Sequence, residues 1–215
     1  MIGIVDYRAG NLTSVARALR YLGEDCRITD DPEILAACSH IIFPGVGAAG
    51  EAMANLRQRK LDHWIKTWVE EGIPVLGICL GTQVIFSFSE ENDTACLGIV
   101  PGTVRRFPEL VDADARPLKI PHMGWNSVQF TREHPVFRDI PDGAEFYFVH
   151  SYYPNPAPDS EDNNWIIGRT EYGLSFCSAV AQNNLVAVQF HPEKSGRPGL
   201  QILANFCRWG GRDAE

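Results

Sequence analysis

The spacing of apolar residues changes partway along the chain. Up to residue 79, short apolar runs alternate with amphipathic stretches, in the order IGIVDY, NLTSVARALRYLG, CRIT, HIIFPG, EAMANLRQRKLDHWIKTWVEEG and PVLGIC. Short continuous runs suit strands covered on both faces, and the stretches between them suit helices, so this order predicts βαβ units and a parallel sheet. Leu12, Val15, Ala16, Leu19 and Leu22 share one helical face, and Gly23 stands where that helix should end. The stretch from Glu51 to Gly72 predicts one helix closing near Glu70 and Glu71. Beyond about residue 96 the runs shorten and alternate (LGIVPGTVRRF, LKIPHMGWNSVQF, AEFYFVHSYY, WIIGRTEYG, FCSAVAQNNLVAVQFHPEK), which predicts antiparallel strands and hairpins. The polar, proline-rich segment 154–164 predicts an exposed loop, and PGLQILANFCRW a last helix with Leu200, Leu203 and Phe206 or Cys207 inward. No repeat or linker divides the pattern. The expectation is one α/β domain over residues 1–215, with a mostly parallel central sheet flanked by helices and an additional antiparallel portion in the second half.

Composition narrows the partners. A net charge of −8 disfavours nucleic acid and anionic membrane, leaving small molecules or another protein. No run approaches the ~18 apolar residues of a membrane span, and the chain opens on an apolar strand without a basic leader, so a cytosolic protein is expected. The six cysteines, Cys26, Cys38, Cys79, Cys96, Cys177 and Cys207, form no CxxC pair and no zinc-like spacing with histidine, so neither disulfides, a metal nor a cofactor is called for.

Candidate chemistry starts at VLGICLG, where Gly77 and Gly81 flank Cys79 at two residues on either side. A nucleophile on a tight strand-to-helix turn takes strained backbone and needs small residues two before and two after it. A helix opening near Leu80 would also favour thiolate through its free N–H groups. The plain alternative is a buried cysteine in a glycine-containing strand. A thiolate needs a base, and the base an orienting group. In FHPEK, an extended segment would point His191 and Glu193 to one side; alone, this reads equally as a solvated strand end. A metal site there lacks a second histidine at ligand spacing.

Residues 45–50 match G-x-G-x-x-G between a strand and a helix, which raises a dinucleotide-binding oxidoreductase as an alternative. The match is not on the first strand, and no acidic residue closes a following strand at the required distance. The other use of these glycines is an oxyanion hole, in which Gly45 and Gly47 let the Val46 peptide turn toward developing charge and the Leu80 N–H is the second donor. An inactive binding or scaffold subunit is a further alternative.

Together these motifs resemble the class I (triad) glutamine amidotransferases. With PGVG at 44–47, GICLG at 77–81, PHMGWN at 121–126, YFVHSY at 147–152 and FHPEKS at 190–195, the chain is similar over nearly its whole length to the glutaminase subunits of imidazole glycerol phosphate synthases. The resemblance implies that Cys79 attacks the side-chain amide of glutamine, His191 protonates the departing ammonia and Glu193 orients His191. It implies an oxyanion site at Val46, Gly47 and Leu80, and substrate contacts from Gln83 and the backbone around Ser151 and Tyr152; Gln83 reads otherwise as a helix-surface residue. The partner implied is a separate (β/α)8-barrel cyclase, faced by Met123, Trp125, Asn126, Tyr147 and Lys194. Without that partner, PHMGWN reads as a tight turn around a buried Trp125, and His122 and His150 as structural histidines. Two residues depart from the family pattern, Thr82 where methionine is usual and Arg8 where glycine is usual. A paralogue feeding ammonia to a synthase of nucleotide-sugar or amidine chemistry is the alternative within the same reaction class.

Overall fold

A computed structural model of the chain describes residues 1–8, 10–112, 114–158 and 164–212. Its first half follows the predicted alternation: β1 (Ile2–Val5), α1 (Leu12–Tyr21), β2 (Cys26–Thr29), α2 (Pro32–Ala36), β3 (His40–Gly45), α3 (Ala49–Gln58), α4 (Leu61–Glu70), β4 (Val75–Cys79) and α5 (Leu80–Val84). The second half holds β5 (Phe86–Ser89), β6 (Thr94–Ala95), β7 (Val100–Arg106), β8 (His122–Ser127), β9 (Gln129–Phe130), β10 (Glu145–His150), β11 (Tyr152–Pro156), β12 (Ile166–Glu171), β13 (Ser175–Gln182), β14 (Leu185–Val188) and α6 (Gly196–Arg208).

An eight-stranded sheet in the order β2-β1-β3-β4-β14-β13-β12-β9 forms the centre. Pairs from β2 through β14 are parallel, and those from β14 through β9 antiparallel, as a mixed sheet requires. Alternation along the buried strands divides the core in two. Ile42, Leu76, Ile78, Val186 and Val188 face α1, α6 and the β8–β10 ribbon. Ile41, Phe43, Val75, Leu185 and Ala187 face α2, α3, α4 and a second sheet ordered β11-β7-β5-β6. A strand buried on both sides has no polar face to show, hence the unbroken runs in the sequence. Val15, Ala16 and Leu19 are buried on α1, and Gly23 follows it at φ 81°.

Two expectations are corrected, and one short helix is added. The helix expected from Glu51 to Gly72 is two helices, broken where Lys60 turns left-handed at φ 59°. Pro154–Pro156, expected in a loop, lies in β11 and pairs with β7; proline is tolerated there because this strand is the sheet's edge. The remainder of that expected loop includes residues 159–163, which lie outside the described residues. The short helix α2, opened by Pro32 and capped by the Asp31 side chain, went unread because five residues hold no periodicity.

Candidate active site

β3 and β4 end side by side, with Gly45 opposite Cys79, and β14 runs on from Val188 toward His191. The candidate site therefore lies at the carboxyl ends of the parallel strands, the usual ligand edge of an open α/β sheet.

Cys79 stands between β4 and α5 at φ 54°, ψ −109°, a conformation that L-residues rarely adopt. The flanking glycines make room for neighbouring chain rather than for the sulfur. A Cβ on Gly77 would sit 2.8 Å from the Ala187 Cβ, and one on Gly81 would overlap the Phe43 carbonyl oxygen. Only with both methyls absent can the turn nest between β3 and β14. The expected helix at Leu80 is a single turn of five residues, too short for a sizeable dipole. Side chains do more: Gln189 Nε2 donates to Cys79 Sγ at 3.7 Å.

His191 is buried, and its Nδ1 donates to Glu193 Oε1 at 2.8 Å. The two side chains meet across a 3-10 turn, Pro192–Lys194, not along the extended segment expected. Burial opposes charge on the ring, but the Cys79 thiolate and Glu193 outweigh it and raise His191 to about 9. Its Nε2 has no nitrogen or oxygen partner and couples to the sulfur. Burial pushes other thiols the opposite way from reactivity, Cys96 to about 11 and Cys207 to about 12, with Cys26 and Cys38 also raised.

A cavity of about 410 Å³ opens on Cys79 and brings together Val46, Gly47, Leu80, Gln83, Ser151 and Tyr152, with Glu91, Pro121, Val149 and His150. A larger cavity of about 610 Å³, lined by residues of the 130–142 stretch, holds none of the candidate side chains. Gly47 lies at φ 108°, a backbone region open mainly to glycine. Gly45 packs under the buried Tyr7 hydroxyl, and Gly50 packs against Asn92. Gly45 and Gly50 are thus required by packing and Gly47 by its backbone conformation. Burial and the Cys79 charge hold Tyr7 un-ionised.

Gln83 is buried, contrary to a helix-surface reading, and its Nε2 donates to Tyr152 O at 2.9 Å and Gln189 Oε1 at 3.0 Å. Both amide hydrogens are committed, so its carbonyl oxygen is what it can offer a ligand. The Ser151 carbonyl accepts from Phe107 N–H. Tyr152 O also accepts from His150 Nδ1 at 2.7 Å; His150 Nε2 in turn accepts from His122 Nδ1 at 3.0 Å. Burial lowers His122 to about 4 and His150 to about 3, so both are neutral imidazoles near neutral pH.

On the ribbon's outer face Met123 and Trp125 are 62% and 54% exposed, so Trp125 is not the buried centre of a turn. Tyr147 lies opposite Trp125, ring to edge at 6.3 Å, and Lys194 Nζ stands 5.7 Å over the Tyr147 ring. Asn126 differs: its amide is held by His122 Nε2 and Glu171 O. The two departures fit locally. Thr82 is buried and donates to Val188 O at 2.6 Å, and Arg8 takes φ 64°, where glycine is the unstrained choice.

Reading the sequence missed Gln189, Tyr7, Glu91 and Asn11, whose Nδ2 donates to Glu193 Oε1 at 2.5 Å. Their partners lie far along the chain, and no local spacing announces them.

A family model for glutamine amidotransferase class-I matches residues 3–209. The chain is 51% identical over 210 residues to the "Imidazole glycerol phosphate synthase subunit HisH" of Maridesulfovibrio salexigens, covering 97% of each. It is 50% identical to the subunit of the same name from Nitratidesulfovibrio vulgaris, covering 97% of this chain and 96% of that one. Among solved structures, PurLQS from Thermotoga maritima superposes with a TM-score of 0.70 at 16% identity, over 96% of this chain and 97% of the other; this likeness concerns the fold.

Proposed function

The chain belongs to the class-I glutamine amidotransferase family, and from that premise we propose that it is the glutaminase subunit of an imidazole glycerol phosphate synthase in histidine biosynthesis. It acts in the cytoplasm as one domain, hydrolysing glutamine and passing ammonia to a barrel-shaped cyclase subunit. That partner makes imidazole glycerol phosphate and an aminoimidazole carboxamide ribotide.

The observation that carries this reading is a strained Cys79 beside a buried His191 whose Nδ1 is held by the buried Glu193 carboxylate at 2.8 Å. Cys79 Sγ attacks the side-chain amide carbon of glutamine, and negative charge gathers on the amide oxygen. The Val46–Gly47 segment and the Leu80 N–H receive it. His191 gives its Nε2 proton to the amide nitrogen, which leaves as ammonia, and a thioester remains. Water then attacks the thioester while His191 takes a proton, releasing glutamate and restoring the thiolate. Glu193 keeps the Nδ1 proton in place throughout. The Gln83 carbonyl oxygen and the Ser151–Tyr152 segment hold the substrate. The partner meets the outer face of Met123, Trp125, Tyr147 and Lys194, with Asn126 supporting the strand from beneath.

A diazoketone analogue of glutamine should label Cys79 stoichiometrically. Cys79→Ala, combined with the cyclase, should lose glutamine-driven synthesis and keep synthesis driven by ammonium salts. Labelling at Cys26 or Cys177 instead, or loss of both syntheses in a complex that still assembles, overturns the reading. An inactive scaffold would label nowhere.

A further inference from the structure

We infer that Asn11 is a positioning residue of the hydrolysis, acting through Glu193 as a fourth member behind Cys79, His191 and Glu193; the inference rests on the proposed reaction and deepens it. Asn11 is the residue before the first turn of α1, a place where asparagine ordinarily accepts a bond from the helix N–H groups. Its side chain makes no such bond here. The backbone is left-handed, at φ 76°, ψ 6°, which glycine meets at least as well. Neither helix nor turn therefore requires the amide.

The amide reaches across 182 residues of sequence to Glu193. Glu193 Oε1 accepts from His191 Nδ1 and Asn11 Nδ2 together, and the carboxylate side chain is wholly buried. Its other oxygen, Oε2, has no hydrogen-bond partner among the described residues. With one oxygen unheld, rotation of the carboxylate is resisted at Oε1 alone. Of the two donors there, His191 is the one that must stay aligned during the reaction, which leaves Asn11 as the fixed anchor. An amide is suited to anchoring because it donates without titrating and adds no charge to a pair already coupled to a thiolate.

Two variants, Asn11→Gly and Asn11→Asp, test this. Glycine removes the amide and fits the backbone, so the turn should persist and the melting temperature fall only by the loss of one hydrogen bond to a charged group. In complex with the cyclase, kcat for glutamine should fall about tenfold with KM unchanged, since a loosened base costs rate and not binding. Aspartate keeps the shape and sets a second carboxylate beside the first. The groups facing His191 are Cys79 and Glu193, with Tyr147 against the ring and His150 coupled more weakly. Two carboxyl groups at hydrogen-bond distance hold one proton between them, which changes the strength of the bond to Glu193, so the His191 ring signals in NMR should titrate at a different pH from the unaltered protein. The kcat-against-KM split in Asn11→Gly is the readout that a purely structural residue would not produce. An unchanged kcat in Asn11→Gly, or an unmoved His191 titration in Asn11→Asp, overturns the inference. If the unaltered complex does not hydrolyse glutamine, the proposed function has failed, while the His191 titration still decides the role of Asn11.

Discussion

Moving a single methyl group across the β4–β14 pair tests why Cys79 is bracketed by glycine. Gly77 and Ala187 are register partners, and a Cβ added at Gly77 would lie 2.8 Å from that of Ala187, inside any ordinary carbon contact. The other near atoms, Thr82 N at 3.4 Å and Gly81 C at 3.5 Å, are at normal contact distance, so the whole cost of Gly77→Ala comes from one methyl. Overpacking of this kind costs about 1–3 kcal/mol. Replacing glycine in a strand returns about 0.5–1 kcal/mol of chain entropy, so the net loss should be about 0–2.5 kcal/mol. Ala187→Gly removes the colliding methyl. The double variant Gly77→Ala/Ala187→Gly should therefore be more stable than the sum of the single changes, with a coupling of at least about 1 kcal/mol.

Gly81 supplies the contrast, since its added Cβ would meet the Phe43 carbonyl oxygen and lie 3.0 Å from the carbonyl carbon. No side-chain change can clear backbone, so α5 must lift away from β3, at a cost above about 3 kcal/mol. Urea unfolding gives the stabilities, and the rate of Cys79 alkylation reports whether the turn survives. A packing origin for the two glycines is refuted if Gly77→Ala costs the same with and without Ala187→Gly, or if Gly81→Ala is as mild as Gly77→Ala.

Because His122 and His150 are held near 4 and near 3 by burial, the unfolded chain takes up two protons below about pH 6.5 that the folded chain refuses. Their contribution is full above 6.5 and falls with acidity, by up to about 1.4 kcal/mol per pH unit for each; a urea midpoint no lower at pH 5 than at pH 7 would contradict this. Gln189→Leu removes the N–H donor from the Cys79 sulfur at nearly constant volume, and alkylation of Cys79 at neutral pH should slow about tenfold, the worth of a bond to a charged group; an unchanged rate denies Gln189 that role. Trp125→Ala and Lys194→Glu should each weaken assembly with the cyclase by about 2 kcal/mol or more, lowering glutamine-driven synthesis while ammonium-driven synthesis persists. Sedimentation showing an undiminished complex with full glutamine-driven synthesis would exclude that face.

Whatever rests on neighbouring residues was legible. The strand runs, the α1 stripe, the Cys79 turn and the His-Pro-Glu segment each announce themselves within a few positions, because burial on both faces, helical spacing and backbone strain are local matters. Asn11 is the opposite case. No spacing in the sequence singles it out, and only the folded chain shows its amide turned from the helix toward Glu193. Gln189 was equally hidden, since its amide oxygen accepts from Gln83 Nε2 across 106 residues of sequence. The break at Lys60 failed for another reason: nothing marks it, and lysine in left-handed backbone is set by how α3 and α4 pack. In β11 the prolines outweighed the pattern, although an edge strand accepts them.

The exposed face and the base are built on one strand. Tyr147 presents its ring beside Trp125, while its carbonyl accepts the His191 N–H at 2.9 Å. Its own N–H donates to Ser195 Oγ at 2.9 Å, and that hydroxyl donates to the His191 carbonyl at 2.6 Å. Main-chain bonds thus clamp the His191 turn to β10 at the residue whose side chain faces outward. The inner face of the same ribbon carries His122 and His150, which lead through Tyr152 O, Gln83 and Gln189 to the sulfur. A partner seated on Trp125 and Tyr147 therefore bears on the acid through backbone and on the nucleophile through side chains. Both routes start from one two-stranded ribbon, whose strands β8 and β10 pair with each other and, among the described residues, with no strand of the two larger sheets. The ribbon thus joins the exposed Trp125–Tyr147 face to both the acid and the nucleophile, with Phe146 and Phe148 fixing it in the core between them.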